Sequence, residues 1–249
     1  MNILTNYKEV KNEEKKGVEL YFEAIPTYQE RQELKENGYK WHNQKKCWYK
    51  KEETTSETIK TGVHENEKGY CRGAWTGNNY NGNLTLKEIA KKIKNELKRL
   101  YPDVTFSITS ELYSMGQSLH ISLMSAKKDI FKSVEQAIED ADGKSICYNR
   151  IYAHPENWEG LTEWDLERSR QAIESIKHEI EKKYIQINHY HIESELTLND
   201  YGKELLKKAC ELANSFNYDD SDGQIDYFDT NFYLHLNVGK WNKPFEVVA

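Results

Sequence analysis

The chain has 249 residues and a formal net charge of -6, enough length for one large domain or two small ones. Charged residues make up 31% and apolar ones 37%, and aromatics reach 12%, which is polar for a globular protein but too rich in buriable area for a disordered one. The four cysteines (Cys47, Cys71, Cys147, Cys210) form no CxxC pair, and no stretch approaches the roughly 20 apolar residues of a membrane span. A disulfide framework, a cysteine-based zinc module and a membrane anchor are therefore not expected. The first apolar run, Ile3-Leu4, is too short for a secretion signal, and the expected setting is a reducing cytoplasm.

Val18–Phe22 reads as a strand. Pro26 and Thr27 open a helix to about Asn37, with Thr27 as its N-cap and Gly38 as its stop. Tyr39–Asn43 and Cys47–Lys51 read as two strands around a turn, completing a small β-α-β-β domain over residues 1–60. Glu52–Thr61 is rich in Thr, Ser and Glu, and Gly69–Gly82 in Gly and Asn, so residues 61–83 read as a linker.

Leu84–Tyr101 carries the clearest helical period: Leu86, Ile89, Ala90, Ile93, Leu97 and Leu100 on one face, Lys87, Lys91, Lys92, Lys94 and Lys98 on the others. Val104–Leu112 and Ser118–Met124 alternate as a hairpin around Ser114-Met115-Gly116. Asp129–Ala141 reads as a helix capped by Asp129, and Trp158–Tyr184 as a long polar helix with Ile173, Ile176 and Ile180 on its inner stripe. Ile185–Leu196 contains an alternating strand, Leu198–Phe216 a helix started by Thr197 or Asn199, and Asp226–Val238 a strand. The fold class is α+β, with helices packed on antiparallel hairpins over residues 84–249, divisible into 84–145 and 146–249.

Charge is unevenly spread. Residues 1–101 carry 20 basic and 15 acidic side chains, a net +5, and residues 102–249 carry 15 and 26, a net -11. Such asymmetry fits a basic part that meets nucleic acid and an acidic part that meets a basic protein, or two ordinary solvated surfaces.

Three segments are candidate sites. Gly38–Lys51 holds five lysines, four aromatics and no acid. Trp41 and Trp48 could stack bases while Lys40, Lys45, Lys46, Lys50 and Lys51 track phosphates, joined by Lys87, Lys91, Lys94 and Lys98; or both indoles could be core, which is where the large aromatics of so small a domain belong. Asn217–Asp229 holds five Asp in thirteen residues. With Gly223 as the sixth position of a calcium loop, Asp220, Asp222, Asp226 and Asp229 fall at positions 3, 5, 9 and 12, but Tyr218 occupies position 1, and an acidic turn is the alternative. Asp226 and Asp229 could equally offer an acidic surface to a partner. His189 and His191, two apart, would share a strand face and could ligate a metal, though no third ligand is evident. No GxSxG, HExxH or phosphate loop is present, and no catalytic residue or cofactor is assigned.

The stretch LTLKEIAKKIKNELKRLYPDVTFSITSELYSMGQSLHIS resembles the large polyvalent protein-associated domains. The resemblance rests on Ile89, Ala90, Leu97, Pro102, Phe106, Ser107, Tyr113, Ser114, Gly116 and Ser118, with Met115 in place of a glycine. The tail from Asn217 looks like the C-terminal part of the same group, and KENGYKWHNQKKCWY is similar to a small domain that accompanies phage and plasmid proteins. The resemblance implies a phage or conjugative-element protein with a counter-defence role. Three functions stay open: a non-enzymatic inhibitor of a bacterial defence complex, of the anti-CRISPR or anti-restriction type; a nucleic-acid-binding accessory module; and a metal-dependent enzyme at the 219–229 cluster. The expected partners are a defence nuclease or its nucleic-acid complex, and DNA or RNA itself.

Overall fold

The computed structural model describes residues 7–12, 17–51, 59–146 and 149–248. Ile3-Leu4, residues 52–58 of the Thr-, Ser- and Glu-rich stretch and Cys147 lie outside them, as does the side chain of Lys51. The chain divides into two compact units, residues 1–58 and 59–249, and its class is α+β.

In the first unit, β1 (Tyr7–Asn12), β2 (Gly17–Phe22), β3 (Lys40–His42) and β4 (Cys47–Lys51) form an antiparallel sheet in the order β1-β2-β4-β3, with helix α1 (Tyr28–Glu36) between β2 and β3. Strand β1 was not expected: YKEVKN has one aliphatic side chain and is exposed along nearly its whole length, so no buried face marks it. Thr27 caps α1 as expected. Its hydroxyl accepts from the Glu30 N–H, and the Glu30 carboxylate accepts from Thr27 in return. Gly38 leaves the helix at φ +83°, where a side chain would be strained. Leu20, Leu34 and Trp48 form the core, with Val18, Phe22 and Tyr39 packed against it.

In the second unit a mixed sheet holds the centre. β7 (Val104–Tyr113) and β8 (Gly116–Ala126) form the expected hairpin, with Met115 at φ 71° in the turn. β11 (Ile185–Ile187) pairs antiparallel with β13 (Tyr233–Val238). β13 and the short β14 (Glu246–Val247) run parallel to β8, a pairing beyond the expected antiparallel hairpins that joins both ends of the 84–249 segment in one sheet. Leu119, Ile121 and Leu123 of β8 lie opposite Leu234, Leu236 and Val238 of β13 and are buried with α2 (Leu86–Leu100) and α5 (Asp200–Asn214) in the main core. α3 (Val134–Ala141) and α4 (Glu163–Lys182) complete the helices.

Several boundaries differ from expectation. Residues 61–83, read as linker, contain β5 (Val63–Glu65) and β6 (Trp75–Gly77), which pair with β12 (Tyr218–Asp219) in a second sheet. Three-residue strands among glycines carry no period to read. Ser133, not Asp129, caps α3; Asp129 instead accepts from the Phe131 N–H and pairs with Lys183 at 2.8 Å. α4 begins only after Thr162, which forms a capping box with Asp165, because Gly160 at φ +73° interrupts the preceding chain. The strand after α4 ends at Ile187, so His189 and His191 sit in a turn and at the start of a 3-10 helix, without the shared face that strand geometry would give. Residues 226–232 precede β13 as irregular chain, with Asp226 at φ 54°.

Candidate functional site

The basic hairpin of the first unit is only half a platform. Trp48, on the central strand β4, is 5% exposed, whereas Trp41, on edge strand β3, is 46% exposed. The two are cross-strand partners with ring centroids 5.7 Å apart, and Trp41 donates its indole N–H to Asn43. Trp41 was expected in the core. Lying on the sheet edge, it has a strand neighbour on one flank only. Lys45 donates to Glu19 at 2.7 Å, and Tyr21 and Asn12 donate to the same carboxylate. Those bonds, led by Lys45, hold Glu19 down to about 2. Lys40 and Lys46 are exposed, and Lys50 lies over the Tyr39 ring at 5.8 Å.

In α2, Thr85 forms a capping box with Glu88, and Leu86, Ile89, Ile93 and Leu97 are buried. Lys87, Lys91, Lys94 and Lys98 recur at four, three and four residues, so they form one exposed ridge. Among the described residues none of the four is paired with an acid.

The acidic loop lies where β12 leaves β6. Asp220 anchors it: its two carboxylate oxygens accept the N–H groups of Tyr70 and Cys71 at 2.6 Å each, bonds that lower its pKa. Asp219 accepts from the Ser221 N–H and Asp222 from the Gln224 N–H, both as Asx turns. Asp229 accepts from the Tyr218 hydroxyl at 2.7 Å and the Tyr227 hydroxyl at 3.4 Å. The carboxylates of Asp219, Asp220, Asp222 and Asp229 thus turn to local amides and hydroxyls, as in the acidic turn that was the alternative to a calcium loop, and among the described residues no three His, Cys, Asp or Glu are placed to hold a metal. None of the five Asp forms an ion pair with a base among the described residues, and exposed rings surround them: Tyr70 (74%) against Tyr227 at 5.2 Å, and Phe228 (61%).

One arrangement was missed. The sheet face opposite the helices bears Glu111 of β7, Ser118 and His120 of β8, and Tyr233, His235 and Asn237 of β13. His120 and His235 are register partners with rings stacked at 4.5 Å and 12°. Burial, then His235, lowers the pKa of His120; the same two causes lower that of His189, which closes one side. Ser118 Oγ lies 3.0 Å and Glu111 Oε2 3.6 Å from the same nitrogen of His120, Nε2, so this is no Ser-His-acid relay, which needs the two partners on different nitrogens. The signal was present in the alternation Ser118-His120-Ser122 and Tyr233-His235-Asn237, but only the parallel pairing brings the two histidines together.

Residues 84–195 match the family model of large polyvalent protein associated domain 29, the family that the helix and hairpin resemble. The match covers α2 through the start of the chain before α5 and carries the context of phage and mobile-element proteins. No curated protein and no solved structure matches the chain. Among the described residues no helix is long and apolar enough to cross a membrane.

Proposed function

We propose that this chain is a non-enzymatic binding protein of a phage or mobile element that inhibits a bacterial defence nuclease, of the anti-CRISPR or anti-restriction type, by direct contact in the host cytoplasm. The acidic loop carries the reading: five carboxylates that form no ion pair with a base among the described residues, fixed by Asp220 beside the exposed rings of Tyr70, Tyr227 and Phe228. Nucleases of this kind present basic channels to nucleic acid, and such a loop is complementary to them in charge. The rings supply the desolvated anchors that carry most binding energy at interfaces. The test is DNA cleavage by a panel of defence nucleases with the protein added. Wild type inhibits one of them, and Asp226→Asn with Asp229→Asn raises the concentration needed by about tenfold or more. Asn tolerates the left-handed backbone at 226 and keeps an acceptor for Tyr218, so the variant folds. Full inhibition by the variant, or inhibition of none of the panel, contradicts the reading.

The ridge of Lys87, Lys91, Lys94 and Lys98 favours a second reading, direct binding of nucleic acid. If it holds, replacing two ridge lysines by Gln flattens the salt dependence of duplex binding by about 1.8 in log–log slope, at about 0.9 per phosphate contact. An unchanged slope removes the ridge as the contact.

A further inference from the structure

The polar side of the central sheet carries a basin that neither reading uses. It has a volume of about 480 Å³ and is lined by β11 and the turn after it, by β13 and by His120 of β8. That volume lies within the roughly 300–1,000 Å³ of small-molecule sites. Three imidazoles (His120, His189, His235) and three carboxamides (Gln186, Asn188, Asn237) line it, and no acid is among the lining residues. Each carboxamide offers a donor and an acceptor side by side, the pairing that matches the edge of a nucleobase. Planar heteroaromatic rings are what unpaired bases stack on, and the His120–His235 stack shows that ring planes lie face to face here.

We infer that this basin binds an unpaired nucleobase, stacked against the His120–His235 pair and held at its edge by Asn237, Gln186 and Asn188. The neighbouring charges orient a phosphate. Asp219 lies near His189 and repels it, whereas Lys240 lies near His120 and attracts it. Burial keeps His120 and His189 neutral near pH 7, so stacking and amide hydrogen bonds, not cationic imidazoles, give the affinity. The geometry serves two sources alike: a free nucleotide, or a base of a single-stranded nucleic acid.

The test follows the imidazole Cε1–H signals of the full chain in NMR titrations with the nucleosides, their monophosphates, a single-stranded octanucleotide and ribose 5-phosphate. The base-bearing probes are expected to shift the His120 and His235 signals saturably, and ribose 5-phosphate to leave them in place. His235→Ala, at an exposed position, is expected to weaken binding about tenfold or more while leaving Tm unchanged. Lys240→Ala is expected to weaken the monophosphates but not the nucleosides. Tighter binding of the octanucleotide than of any monophosphate assigns the site to single strands, and equal binding assigns it to free nucleotides; either supports the inference. Absence of a shift with every base at millimolar concentration overturns it, as does the same shift with ribose 5-phosphate, or unchanged binding by His235→Ala. The assay contains no nuclease, so its outcome is separate from that of the proposed inhibition.

Discussion

Two tryptophans seven positions apart show how one residue type takes two roles: Trp48 is closed in by Leu20, Leu34 and Trp41, and Trp41 is exposed on its outer flank. Trp48→Ala is expected to cost about 3–5 kcal/mol and Trp41→Ala about 1–2 kcal/mol. The first figure rivals the whole stability of a unit of this size, about 3–8 kcal/mol. Urea denaturation of the full chain therefore shows the first unit lost in Trp48→Ala and retained in Trp41→Ala; equal effects would mean that the edge indole is as enclosed as the central one. A second residue reports through pH. Burial, then the Glu195 carboxylate, raises Glu179 to about 7. Its unfolded value is about 4.3, so the folded chain binds the extra proton between those limits and loses stability as pH rises from about 4.3 to 7. Glu179→Gln removes that loss, and a Tm–pH profile unchanged in this window would contradict the assignment. The small size of the domain put both indoles in the core, but nothing local says which strand is the edge, and so Trp41 was misplaced.

At the scale of the element, capping chemistry was legible in part and pairing across distance was not. Thr27 caps α1 as expected and Asn199, one of two candidates, caps α5, whereas Ser133 takes the place expected of Asp129. The parallel pairing of β13 with β8 joins residues more than a hundred positions apart, and a period-2 pattern carries no information on its partner. The same holds for β5, β6 and β12, whose strands are too short to show a period at all. Gly202 tests the packing that this topology creates. It lies in the first turn of α5, and a Cβ there would stand 2.9 Å from Ile130 Cβ and 2.9 Å from its carbonyl oxygen. Alanine gains about 1 kcal/mol of helix propensity and meets an overpacking cost of about 1–3 kcal/mol. Because one of the close atoms is backbone, the clash wins and Gly202→Ala lowers Tm; a raised Tm would show that the 129–131 segment yields.

For the whole molecule, the charge division seen in sequence resolves into particular surfaces: the lysine ridge of α2 and the acidic aromatic loop at β12. The loop was legible as acidic but not as organised, because its anchor is a contact between Asp220 and the amides of Tyr70 and Cys71, about 150 positions away. The histidine basin was missed for the same reason, because His120 and His235 meet only through the pairing of β8 with β13. The measurement that bears most directly on the proposed function is the association rate of the protein with a nuclease that the cleavage panel finds it to inhibit, followed by stopped flow from low to physiological ionic strength. Steering by opposite charge is screened over a Debye length of about 8 Å at physiological salt. The wild-type rate is therefore expected to fall about tenfold or more across that range, while Asp222→Asn, Asp226→Asn, Asp229→Asn in combination starts slower and varies little. A rate that ignores both salt and the three substitutions would contradict docking through the acidic loop.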